Sequence, residues 1–295
     1  MKLMNIHAHQ DDFEFTAAGL FEKTRRLDPK NFEGKVTVCT DGAAGHHLMS
    51  REKTSEVRHK EQRQALKIAN LIYEPLKYPN GSQPKEGCMT AGPELLAAIW
   101  HSIRTFEPGY LFAPPLPTDN RVGVHVDHVV VAEAVRKVAY LINVPQAYLD
   151  FYPDDEPPFK QIETPVIINV MDSYMGLKDA FDIVIDISDT FEHIAEMSWC
   201  HQSQISEWLP WVGRHQFEPP TNFNGWKEFL LARMEARQRK LGLPTDRLYE
   251  FFCISGWGNI PTISKLTEDL KIIDLEASNL EALEKRLKQW ANQGT

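Results

Sequence analysis

LMNIHAHQDDFEFTAAGLFEKTRR, residues 3–26, changes character twice. LMNI at 3–6 has the length and apolar content of a buried strand. HAHQDD at 7–12 then gathers two imidazoles and two carboxylates, and apolar side chains return at helical spacing over 13–26. Strand, polar turn and helix in that order form the repeating unit of a parallel sheet. The order recurs. Strands are expected at 35–40 (KVTVCT), 71–73 (LIY) and 110–114 (YLFAP), with helices over 50–69, capped by Ser50, and over 93–106, with Pro93 in the first turn. A helix over 127–141 follows, then strands at 165–170 and 181–187, a helix over 190–208, a strand at 249–255 and an amphipathic helix over 279–290. The aromatic, Pro-rich stretch 208–226 has no steady period and reads as a surface excursion or pocket rim. The pattern predicts an α/β fold: a Rossmann-like, mostly parallel sheet with helices on both faces and C-terminal additions. No repeat or linker divides residues 1–295, so a single domain is expected.

The totals narrow the function. With 42% hydrophobic and 25% charged residues, the 295-residue chain has the composition of a soluble globular protein. A formal charge of -9 opposes nucleic-acid binding, which needs clustered Lys and Arg to displace counterions. Cys39, Cys88, Cys200 and Cys253 show no C-x-x-C pair or framework spacing and read as reduced thiols. MKLMNI is too short for a secretory core, and no run reaches membrane-spanning length, so a cytoplasmic protein without a membrane partner is expected.

Ligands of an open α/β sheet bind beyond the carboxyl ends of its strands. There HAHQDD offers His9, Asp11 and Asp12, donor types that suit a divalent cation. Taken alone, the two aspartates read most simply as carboxylates at a helix start. A second cluster alters the balance. GVHVDHVVV (123–131) follows the fourth strand and places His125, Asp127 and His128 at an equivalent strand end. Two such clusters at matching ends together supply three metal ligands and an open fourth position, the catalytic pattern of zinc sites.

H-x-D-D at 9–12 and H-x-D-H at 125–128 resemble the LmbE/PIG-L family of zinc-dependent N-acetylglucosaminyl deacetylases, with Gln10 where the family's A-H-P-D-D motif has proline. TDGAAG (40–45) is similar to its T-x-G-x-x-G turn, RHKE (58–61) to its R-x-x-E, and HQSQ (201–204) to its H-x-S-Q, a match over about the first two-thirds of the chain. The resemblance implies that His9, Asp12 and His128 bind Zn2+ or another divalent metal such as Fe2+. It implies that Asp11 is the general base and that His125, if protonated, stabilises the developing oxyanion or donates to the leaving amine. Asp127 either orients His125 or caps the helix. Arg58 and Asn80 would contact substrate; the competing readings are a solvated helix cation and a turn residue ahead of Gly81.

Other polar residues have plainer readings. His7 either supports the ligands from behind or simply ends the strand, with an H-x-H metal pair with His9 the lesser alternative. His201 either supports the pocket or sits satisfied in the core, and His46 and His47 are undecided. Trp199, Trp208, Trp211 and Trp226 are expected in the core or a subunit interface, and YPDDEPP (152–158) as a solvated acidic loop. DGAAG lacks the spacing of a dinucleotide fingerprint. The expected activity is hydrolytic removal of acetate from an N-acetylated amino sugar or its conjugate by a small-molecule enzyme, with oligomeric state left open. The competitors are an amidase acting on another acyl or amide conjugate, a catalytically silent metal-dependent sugar-binding module, and a nucleotide-binding protein with incidental histidines.

Overall fold

A computed structural model describes residues 1–153, 161–172, 181–214 and 218–293. The strands β1 (Lys2–His7), β2 (Glu33–Val38), β3 (Ile72–Pro75), β4 (Tyr110–Ala113), β5 (Val166–Val170), β6 (Ile183–Asp186) and β7 (Tyr249–Ile254) form one sheet in the order β3-β2-β1-β4-β5-β7-β6. All pairings from β3 to β5 are parallel, while β7 runs antiparallel to both β5 and β6. The crossover helices are α1 (Ala18–Leu27), α2 (Arg51–Ile68), α3 (Pro93–Phe106) and α4 (Val126–Ala139). Two apolar layers cover the sheet, with Leu3, Phe21 and Phe112 in one and Met4, Ile6, Trp100 and Val135 in the other. Successive residues of β1 thus face opposite layers, as a strand buried on both sides requires.

The topology places the ligand crevice. From β1 the chain moves outward to β2 and β3, then returns to lay β4 along the other edge of β1. The switch point therefore falls between β1 and β4, the two strands whose ends carry the histidine–carboxylate clusters.

Several expected boundaries move, with physical causes. The helix expected over 13–26 starts only at Ala18, because residues 13–17 close a turn in which Phe13 O accepts from Thr16 N (3.2 Å) and Ala17 N (3.0 Å). The Phe13 ring meanwhile packs edge-on against Phe21, with centroids 5.0 Å apart. The span 190–208 is two elements, α5 (Phe191–Trp199) and a π-helical turn at Ser203–Trp208. Within 208–226 lie α6 (Leu209–Val212) and the first turn of α7 (Phe223–Lys240), which Asn222 caps by accepting from Gly225 N at 3.0 Å; residues 215–217 are outside the described residues. α8 (Ile263–Asp269) was also not expected, whereas α9 (Leu280–Gln293) extends the predicted amphipathic helix. Residues 154–158 of the acidic stretch lie outside the described residues. No helix among the described residues is long and apolar enough to cross a membrane.

The late start of α1 decides what Asp11 and Asp12 do. The N-cap position is Ala17, which has no capping side chain. The orphan N–H groups of Gly19 and Leu20 instead donate to Glu250 Oε1 and Oε2 on β7, each at 2.8 Å. Neither aspartate serves as the cap, and both are available for other chemistry. Gly19 is needed for this contact, since a Cβ there would lie 2.4 Å from Ile187 Cγ2 and 3.0 Å from Glu250 Oε1. Burial pushes the Glu250 carboxyl up to about 7 despite the two N–H donors that favour its charge. Glu250→Ala strands both donors in the interior and is expected to cost about 2 kcal/mol, read from the midpoint of denaturant unfolding.

Candidate metal centre

Beyond its last paired residue β1 remains zipped to the chain after β2, through Cys39 N to His7 O (2.8 Å) and Thr40 N to Ala8 O (3.0 Å). The backbone then turns sharply, and Asp11 is held at φ 87°, a region L-residues rarely occupy. Its N–H donates to Gln62 Oε1 (2.9 Å), whose Nε2 donates to Glu14 Oε1 (2.7 Å); His201 Nε2 lies 3.2 Å from that same oxygen. Gly42, at φ 63°, and Gly45 close the opposite wall. A Cβ on Gly42 would sit 2.1 Å from Gln10 Oε1, and one on Gly45 2.5 Å from an Arg58 nitrogen. The glycines of TDGAAG therefore make room for Gln10 and Arg58.

From the other side of the switch point, His125 caps α4 and its Nδ1 accepts from Asp127 N at 3.3 Å, while Asp127 and His128 are buried in the first turn. His9 Nδ1 lies 3.1 Å from His128 Nε2 and 3.5 Å from Asp12 Oδ2, and His128 Nε2 lies 3.4 Å from the same carboxylate oxygen. Bonds of about 2.0–2.1 Å in a tetrahedron imply ligand–ligand edges of about 3.3–3.4 Å, so these three donors fit around one divalent ion. Donor atoms also converge in the sets His9–His125–His128, His9–Glu86–His125–Asp127 and His7–Asp12–His128. Of these, His7 stands at 2.7 Å from Asp12 Oδ2, a hydrogen-bond distance that orients the carboxylate.

Outer carboxylates fix the two imidazoles. Asp172 Oδ2 meets His128 Nδ1, and Asp127 Oδ2 meets His9 Nε2 at 3.1 Å while accepting from Gly87 N at 2.9 Å. Such partners hold a ligating ring in one tautomer and raise its basicity. The Asp127 carboxylate therefore holds His9, with its Oδ2 3.9 Å from His125 Nδ1, while the Asp127 N–H is the group that meets His125.

Electrostatics separates the roles of the two aspartates. Burial alone would raise Asp12, but His7 and His128 hold its carboxyl well below the ordinary range. Burial would lower His9, yet its hydrogen bonds to Asp12 and Asp127 push it up to about 10. Asp11, by contrast, is pushed up to about 6 by burial against the pull of Arg58. One carboxylate is thus a fixed anion and its neighbour a base able to take a proton near neutrality. Burial, then the neighbouring His9 and His128, lower His125 below its usual value.

The substrate residues fare differently. Arg58 lines the cavity, but its guanidinium is buried against the loops, donating to Gln10 O (2.8 Å) and Gly42 O (3.2 Å) and lying 3.4 Å from Asp11 Oδ1. Asn80 is not brought to the cavity. It is exposed in a turn where its Oδ1 accepts from Ser82 N (2.9 Å) and Ser82 Oγ (2.6 Å), which is the turn reading. His201 is fully buried beside Glu14, and the neighbouring Ser203 donates to Glu61, joining RHKE to HQSQ. His46 faces Glu207 (3.0 Å), and His47 stacks on Trp211 (4.7 Å, 5°). Trp226 is in the core, whereas Trp208 lines the cavity. Sequence reasoning missed Glu86, Asp172, Arg233 and Arg237, all of which line it. Only Asp172 carried a usable signal, standing just past the carboxyl end of β5.

A family model described as PIG-L, GlcNAc-PI de-N-acetylase, matches residues 4–139. Among solved structures, N,N'-diacetylchitobiose deacetylase from Pyrococcus horikoshii is similar, with 19% identity, TM-score 0.62, and 86% of this chain and 83% of that one covered. GalB, the 4-carboxy-2-hydroxymuconate hydratase from Pseudomonas putida, gives 15% identity, TM-score 0.59 and coverage of 85% and 95%. A conserved protein from Thermus thermophilus gives 19%, 0.57, and 85% and 93%. At these identities the likeness is one of fold. Comparison with curated proteins returned no match.

Proposed function

We propose, from the match of residues 4–139 to the PIG-L family model, that the protein is a zinc-dependent hydrolase removing acetate from an N-acetylated amino sugar or its conjugate. The observation that carries this reading is the 3.1–3.5 Å triangle of His9, Asp12 and His128 donors with Asp11 on the adjoining turn. A divalent ion held there supplies Lewis acidity, polarising an amide carbonyl and acidifying water. The Asp11 carboxylate accepts the proton released as water attacks, its backbone N–H held by Gln62 and its Oδ1 by Arg58. His125 Nδ1 accepts the Asp127 N–H, which leaves its ring proton on Nε2, a neutral hydrogen-bond donor for the oxygen that gains charge, while the proton taken up by Asp11 passes to the nitrogen that departs. Arg58 lies where it can meet substrate hydroxyls beside Asp11, though most of its donors serve the loops.

The test is acetate release from N-acetylglucosamine and its glycosides, with metal content measured alongside. Release is expected to vanish with a chelator and to return on adding zinc. Acetate release indifferent to chelation, or protein that takes up no divalent metal, would overturn the reading. Release of a different acyl group in place of acetate would move the assignment to the broader amidase class.

A further inference from the structure

α7 lies outside the family match, yet it sends Arg233 and Arg237 from one face into the same cavity. Both are half-buried. The Arg237 guanidinium donates to Phe15 O at a long 3.4 Å, and that of Arg233 lies 5.2 Å from the centroid of the Phe15 ring. Neither has a carboxylate partner among the described residues. The nearby acids are engaged: Glu250 holds Gly19 and Leu20, Asp172 holds His128, and Glu235 pairs with Arg239 at 3.2 Å. Like charges four residues apart on a helix repel, and burial adds a desolvation cost. Arg237 registers both, since burial and then Arg233 push it down to about 10 against the weaker pull of Asp172 and Glu250. Two planar forks aimed at a cavity with no carboxylate in ion-pair contact among the described residues form a receptor for an anion.

We propose that Arg233 and Arg237 are a specificity subsite for an oxyanion, carboxylate or phosphate, carried by the substrate away from its acetamide; the proposal rests on the N-deacetylase reading above. A neutral N-acetyl sugar leaves both cations unmatched. A conjugate bearing an acidic group satisfies them and is held with its amide over the metal triangle.

The experiment measures equilibrium binding to the metal-loaded protein of three ligands: methyl N-acetylglucosaminide, N-acetylglucosamine 1-phosphate and N-acetylmuramic acid. At least one acidic ligand is expected to bind about 10- to 100-fold more tightly than the neutral one, and the tighter of the two identifies the oxyanion. In the variant carrying both Arg233→Met and Arg237→Met, that advantage falls below about threefold. Should the double variant not fold, Arg233→Met alone is expected to remove part of the advantage. Equal binding of all three ligands, or an acidic advantage that survives the substitutions, overturns the subsite. Acetate release measured on the same ligands reads the deacetylase assignment separately. An anion preference without acetate release removes the assignment and leaves the subsite standing.

Discussion

Asp11→Ala is expected to lower kcat for amide hydrolysis by about 10²–10⁴-fold while metal content stays at the wild-type level. The separation follows from geometry. Asp12 faces His7, His9 and His128, whereas Asp11 faces Arg58 and belongs to none of the convergent donor sets. Its carboxyl, lifted to about 6 by burial, can exchange a proton near neutral pH, which a carboxylate buried among imidazoles cannot. Asp11→Asn, nearly the same shape, should fail almost as badly, because it removes the basic oxygen and leaves the turn. Acetate release and elemental analysis on the same samples decide the matter. Loss of metal from the alanine variant would make Asp11 a ligand, and near-normal turnover would place the base elsewhere.

His128→Ala is expected to lose both metal and activity. One of three donors disappears, and the buried Asp172 carboxylate loses the ring it held. The variant should therefore also melt earlier than wild type and should not be stabilised by added zinc. Asp172→Asn keeps the ligand and weakens its support, so metal affinity should fall by about 10- to 100-fold with residual activity at saturating metal. A His128→Ala protein that holds stoichiometric metal would shift the centre to the neighbouring set of His9, Glu86, His125 and Asp127.

The site was legible where a short stretch of chain carried the chemistry. HAHQDD and GVHVDH each sit just past a strand, and parallel strands send their ends to the same edge, so the meeting of His9, Asp12 and His128 could be anticipated without knowing the sheet order. What the sequence hid came from partners distant along the chain. Whether Asp11 and Asp12 cap α1 depended on Glu250, an acid in a late strand that offered no local hint of its task. α7 escaped notice because only Trp226, Leu230 and Gln238 are buried along its eighteen residues, too sparse a stripe to register as helical period. Its two cavity arginines escaped with it. Asn80 failed for the opposite reason: the Asn-Gly turn signal was sufficient in itself and needed no ligand to account for it.

The clasp between Glu250 and the start of α1 has a bearing on biogenesis. Gly19 and its acceptor are 231 residues apart, and Ser203 reaches Glu61 across 142. A ribosome delivers the turn bearing Asp11 well before the distant strand and helical turn that brace it. The earlier-made segment then matures only after the later ones arrive, and a nascent chain released after its fourth helix would carry the reactive side chains without the scaffold that aims them.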